Sequence, residues 1–118
     1  MINKKFDKID LVILAGGKGT RIKKFLGKYP KPMIKFNSKH FIQYILNNTS
    51  KYNFKRIIIL CGYRYKIFFK KYNNKVINFN KIICLREKNL LGTAGALKNL
   101  KKLKVQDFIL MNGDTIFD

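Results

Sequence analysis

Four short apolar runs, each rich in β-branched residues, constrain the fold of this chain more than any other feature. Ile9 to Ala15 is closed by Gly16-Gly17, and Arg56 to Cys61 by Gly62. Lys81 to Leu85 leads into Arg86-Glu87, and Phe108 to Met111 ends in Asn112-Gly113-Asp114. Runs that are continuously apolar read as strands buried on both faces, whereas alternating runs read as half-exposed ones. Between the strands the period changes. Phe41, Ile42, Ile45 and Leu46 recur at helical spacing behind Asn37-Ser38, with Ser38 as the predicted N-cap. An aromatic helix is expected after Gly62, and Thr93 to Leu103 has helical periodicity. Buried strands alternating with helices make βαβ units, so the expected fold is α/β, a parallel sheet with helices on both faces. Ligands of such sheets bind beyond the carboxyl ends of the strands. That rule puts Gly16 to Arg21, Gly62, Glu87 and Asp114 on one edge.

The 118 residues leave room for a single domain, and 47% hydrophobic content is that of a packed globular chain, which excludes disordered and collagen-like structure. The longest apolar runs fall far short of the ~20 residues of a membrane span. The first is also too short for a signal-peptide core, so the chain is expected in the cytoplasm with no membrane partner. Cys61 and Cys84 lack C-x-x-C spacing and sit in apolar runs, which predicts buried reduced thiols, not a zinc site or a disulfide.

A net charge of +20, from 26 Lys+Arg against 6 Asp+Glu, raises the question of nucleic acid. Only Arg21, Arg56, Arg64 and Arg86 are arginines; the lysines scatter through every segment with many Asn and Ile, as compositional bias would scatter them. A generally basic surface is expected, and no specific nucleic-acid partner. Tyr63 to Tyr72 interleaves aromatics with cations, as single-strand binders do. At helical spacing the same aromatics form a core-facing stripe, which is the reading adopted.

Leu14-Ala15-Gly16-Gly17-Lys18-Gly19-Thr20-Arg21 has the composition of a phosphate cradle. Glycines directly after a buried strand let backbone N–H groups approach an anion, and the adjacent cations add charge. It is neither a P-loop, which needs Lys-Ser/Thr after its last glycine, nor a dinucleotide fingerprint, which needs glycine where Ile22 stands. The loop continues instead to Pro30-Lys31-Pro32-Met33, where two prolines hold Lys31 in an extended segment able to face the same anion. Among the acids, Asp7 and Asp10 precede the first strand and Asp107 begins the last. Position therefore favours Asp114, and after it Asp118, as the carboxylate for a hard cation.

These motifs, in this order, resemble the signature of the sugar-phosphate nucleotidyltransferases. The resemblance covers Leu14 to Arg21, Pro30 to Met33, Glu87 to Leu97 with its Leu91-Gly92-Thr93-Ala94-Gly95, and Asn112-Gly113-Asp114-Thr115-Ile116-Phe117-Asp118. Within the family these forms look most like guanylyltransferases acting on heptose 1-phosphate or mannose 1-phosphate. The resemblance implies a Rossmann-like domain of which residues 1–118 form the N-terminal, nucleotide-binding portion, and an in-line attack of a sugar phosphate on the α-phosphorus of a nucleoside triphosphate, with Mg²⁺ as cofactor. It puts Leu14, Ala15, Gly16, Gly17, Gly19, Thr20 and Arg21 on the nucleotide, Lys31 on the reacting phosphates and Asp114 on the metal. Arg21, Lys31 and Asp114 are thereby the catalytic set. Glu87, with Gly92 and Thr93, falls where relatives read the base; one carboxylate can accept from both N1–H and N2–H₂ of guanine. As a plain surface residue, Glu87 would instead pair with Lys88 or Arg86.

Members of that family are longer, with a second metal carboxylate and most sugar contacts beyond the Asn-Gly-Asp motif. The chain as given is therefore expected to turn over poorly and to self-associate through an incomplete sheet edge. A truncated, non-catalytic nucleotide-binding fragment is the alternative, and a basic nucleic-acid-binding module the third reading.

Overall fold

A computed structural model describes residues 6–15, 35–36, 39–62, 64–87, 98 and 100–113. The main sheet contains β1 (Asp10–Ala15), β4 (Arg56–Cys61), β5 (Val76–Ile77), β6 (Asn80–Arg86) and β7 (Phe108–Asn112), in the order β5-β6-β4-β1-β7. A separate hairpin pairs β2 (Lys35–Phe36) with β3 (Lys39–His40). Helix α1 (Phe41–Thr49) follows β3, and α2 (Tyr65–Tyr72) follows β4. The four strands expected from the apolar runs form a parallel set. β1 lies between β4 and β7, with Asp10 opposite both Arg56 and Phe108, and Ile57 of β4 lies opposite Ile82 of β6.

Alternate residues of these strands supply two cores. Leu11, Ile13 and Ala15 join Ile57, Ile59, Ile82 and Cys84 on one face, against Ile42, Ile45 and Leu46 of α1 and Phe68 and Tyr72 of α2. Val12, Ile58 and Leu60 face the other way, where Leu100 and Leu103 pack with Leu85 and Leu110. Both α1 and α2 thus cover one face, and the short 3₁₀ turn Lys101–Leu103 with Leu100 covers the other. Burial of each such aliphatic side chain stabilises the fold by about 1.5–3 kcal/mol. The continuous apolar runs reflect these two covered faces.

In α2, Phe68 and Tyr72, four residues apart, are buried while Lys66, Lys70 and Lys71 are exposed. The aromatic segment is therefore a core stripe, as its spacing indicated. Cys61 and Cys84 are both buried free thiols, and burial pushes the Cys61 thiol far above its ordinary pKa.

Details within this architecture differ from expectation. Ser38, the expected N-cap, lies outside the described residues. The pairing of Lys35 with His40 and of Phe36 with Lys39 keeps the two residues after Ser38 extended, so the helix starts at Phe41. The main sheet is mixed, because β5 runs antiparallel to β6. Strand ends also shift by a residue or so: the first begins at Asp10, the third spans Asn80–Arg86 and the last reaches Asn112. Of the helix expected over Thr93 to Leu103, Lys98 and Leu100 are helical and Lys101–Leu103 is a 3₁₀ turn. Its remaining residues, and the loop expected from Gly16 to Pro32, lie outside the described residues.

Candidate functional site

Parallel register aligns the carboxyl ends of four strands. Ala15 is opposite Cys61, Cys61 is opposite Arg86, and Leu14 is opposite Asn112. Across the sheet, therefore, Glu87 after β6, Gly62 after β4, Ala15 at the end of β1 and Gly113 after β7 stand in a row. Two backbone bonds extend the pairing past the strand ends. The Glu87 N–H donates to the Cys61 carbonyl at 2.6 Å, and the Gly113 N–H donates to the Leu14 carbonyl at 2.8 Å. The second ties the residue before Asp114 to the strand that leads into the glycine motif.

Of the expected site residues, Leu14, Ala15 and Glu87 are described. Leu14 and Ala15 are the last two residues of β1; Ala15 belongs to the core cluster under the helices, while Leu14 packs on the opposite face. Their contribution at this edge is backbone. Glu87 is 7% exposed, and burial raises its carboxyl pKa above the ordinary value. It is thus no solvated surface acid. Arg86, the neighbour that could have paired with it, places its guanidinium 4.2 Å from the centroid of the Tyr65 ring in α2. Gly16, Gly17, Gly19, Thr20, Arg21, Lys31, Gly92, Thr93 and Asp114 lie outside the described residues.

The Tyr65–Arg86 stack is an edge contact that sequence reading missed. Its trace in the sequence is the lone arginine ending an apolar run. The other described acids stand elsewhere. Asp10, at the amino end of β1, is buried and accepts from Arg56 Nε at 2.9 Å and Nη2 at 2.8 Å. Asp107 precedes β7, and its carbonyl accepts from the Asp10 N–H. Among the described residues no three His, Cys, Asp or Glu side chains stand together as a metal site.

An α/β sheet of mostly parallel strands with α1 and α2 packed on it defines a Rossmann-like fold. The chain belongs to the nucleotidyl transferase family, whose model matches residues 11–118. It is similar to a D-glycero-alpha-D-manno-heptose 1-phosphate guanylyltransferase of Campylobacter jejuni, at 36% identity over 107 residues, 91% of this chain and 48% of the relative. Among solved structures it is similar to HddC from Yersinia pseudotuberculosis complexed with GMP-PN. There the TM-score is 0.76 at 36% identity, covering 92% of this chain and 48% of that one. A UDP-glucose pyrophosphorylase from Acinetobacter baumanii superposes with TM-score 0.79 at 17% identity, covering 100% of this chain and 47% of that one, a likeness of fold alone. The chain spans about half the length of the curated relatives it matches.

Proposed function

We propose that this chain carries the nucleotide-binding part of a sugar-1-phosphate guanylyltransferase acting in the cytoplasm, with GTP and heptose or mannose 1-phosphate as substrates. The reaction is an in-line displacement. An oxygen of the sugar phosphate bonds to the α-phosphorus of GTP, the α–β bridging bond breaks, and pyrophosphate leaves with GDP-sugar as the other product. Such chemistry relies on positioning and charge neutralisation more than on covalent help from the protein. In this reading the backbone of Gly16 to Gly19 and the Arg21 fork hold the triphosphate, and Lys31 meets the reacting phosphates as a mobile charge. Glu87, Gly92 and Thr93 take the base end. The observation that carries the reading is the burial of Glu87 at the carboxyl end of β6, in line with the strand that leads into the glycine motif.

Mg²⁺ suits the donor set. It is a hard cation held through one or two carboxylates plus substrate phosphates, and Asp10 is already committed to Arg56 at the far end of the sheet. Asp114 is the residue that would hold it. The ion, when bound, neutralises phosphate charge.

Titration calorimetry with GTP tests the phosphate roles. Arg21→Ala and Lys31→Ala should each weaken binding by about 1.5–3 kcal/mol, the range for hydrogen bonds to charged groups. Unchanged affinity in both variants removes the assignment. A pyrophosphate-release assay with GTP, Mg²⁺ and each sugar 1-phosphate separates enzyme from the alternative: binding without release identifies a non-catalytic nucleotide-binding unit.

A further inference from the structure

The amino end of the sheet, away from Glu87, carries a hairpin whose Val76 and Phe79 stand outside the core. β5 and β6 are joined by the two residues Asn78 and Phe79, with Val76 opposite Lys81 and Ile77 opposite Asn80. Both turn residues have positive φ, 48° and 71°. That is the pattern of a type I′ turn, whose second position favours glycine. A phenylalanine there sets its Cβ against the backbone, and its ring, 76% exposed, gains little packing in return. Val76 is 63% exposed and Tyr52 is 44% exposed. The tip is held rigidly against the segment carrying Tyr52. Asn78 Nδ2 donates to Ser50 Oγ at 3.0 Å, Asn80 Nδ2 donates to the Ser50 carbonyl at 3.3 Å, and the Phe54 N–H donates to Asn80 Oδ1 at 2.8 Å. Lys51, Lys55, Lys75 and Lys81 are exposed in these two segments, and residues 50–55 and 73–81 contain no acid.

We propose that this hairpin tip docks the protein onto an anionic lipid bilayer surface, with Phe79 and Val76 entering the headgroup boundary and Lys75 and Lys81 meeting lipid phosphates. A protruding ring needs no preformed pocket in a bilayer, and lysines beside it are attracted to anionic headgroups. A second copy of the chain would set the same lysines against one another. Single-stranded nucleic acid is bound by stacking aromatics along a basic groove, whereas this aromatic stands at a hairpin tip. The contact is peripheral: no helix among the described residues is long and apolar enough to cross a membrane. It departs from the expectation of no membrane partner, which rested on the lack of a span.

Co-sedimentation of the 118-residue chain with vesicles of phosphatidylglycerol and phosphatidylcholine, beside phosphatidylcholine alone, tests the proposal. Binding should require the anionic lipid and weaken as salt is added. Phe79→Gly should lower the partition coefficient about 10-fold, and Lys75→Ser and Lys81→Ser roughly 5-fold each. Urea unfolding supplies the folding control, since glycine fits the turn and Phe79→Gly should unfold no earlier than the parent. Absence of binding to anionic vesicles, or undiminished binding by Phe79→Gly, overturns the proposal. Retention of single-stranded DNA that depends on Phe79, without vesicle binding, overturns it in favour of nucleic acid.

Discussion

Asp10 and Glu87 are acids at opposite ends of the same sheet, and their surroundings give them different work. Asp10 is buried in a bidentate pair with Arg56, whose Nη2 also donates to the Leu103 carbonyl at 3.3 Å. Removing one partner strands the other charge, so Asp10→Ala should cost about 3 kcal/mol in urea unfolding. A joint replacement, Asp10→Leu with Arg56→Met, should recover most of that loss. A cost below roughly 1 kcal/mol for the single change would place the pair among ordinary surface bridges. Among the described residues Glu87 has no ion pair of this kind, and burial raises its carboxyl pKa. The sign follows from which form the fold prefers. The protonated acid is tolerated, so stability is highest below the ordinary carboxylate pKa of about 4.3 and falls as pH rises through the raised value. Glu87→Gln should flatten that fall in urea midpoints measured against pH. A guanine edge donating two hydrogen bonds to the carboxylate favours the charged form, so GTP binding should release a proton in the same pH window. Calorimetry in buffers of different ionisation enthalpy reads it. The same substitution should reduce the preference for GTP over ATP by about 1–3 kcal/mol; equal affinity of the parent for both nucleotides would end the base-reading role.

At the scale of elements, the strands follow from their own sequences while two hairpins depend on pairing. The β5–β6 turn is built against its local preference. Placing Phe79 at φ 71° costs about 1–2 kcal/mol relative to glycine, partly offset by the greater freedom glycine loses on folding. Phe79→Gly should therefore stabilise the fold by about 1 kcal/mol, read as a higher urea midpoint with unchanged slope. A lower midpoint would mean that the ring packs after all. The Asn80 amide has the opposite standing. Fully buried, it accepts from the Phe54 N–H and donates to the carbonyls of Ser50, Ile77 and Asn78, which fixes where β6 begins.

Charge acts on the whole molecule. A net +20 spread over 118 residues opposes compaction through self-repulsion, and added salt screens it over a Debye length of about 10 Å at 0.1 M. The free energy of unfolding should therefore increase with sodium chloride up to a few tenths molar. Stability that fell with salt would show that attractive surface pairs dominate instead. Screening leaves the buried Asp10–Arg56 pair largely untouched, so the cost of Asp10→Ala should change little with salt.

The strand runs and the aromatic stripe of α2 were legible in the sequence because hydrophobic period reports how many faces of an element are covered. The ordered motifs marked the family because several short patterns in a fixed order along most of the chain are a specific signature. Pairing across distance left no such local trace. Lys35 opposite His40 moved the start of α1 away from Ser38, and Asn-Phe, a poor sequence for its turn, concealed β5. Nor did the sequence say that Arg86 would stack on Tyr65 or that Glu87 would be buried. Those facts depend on neighbours brought by β4 and by Tyr65 of α2, more than 20 residues earlier in the chain. Residue type and period thus selected the elements and the family. Burial, register and the raised carboxyl pKa of Glu87 are properties of the assembled sheet, because desolvation and cross-strand contact exist only once the chain has closed on itself.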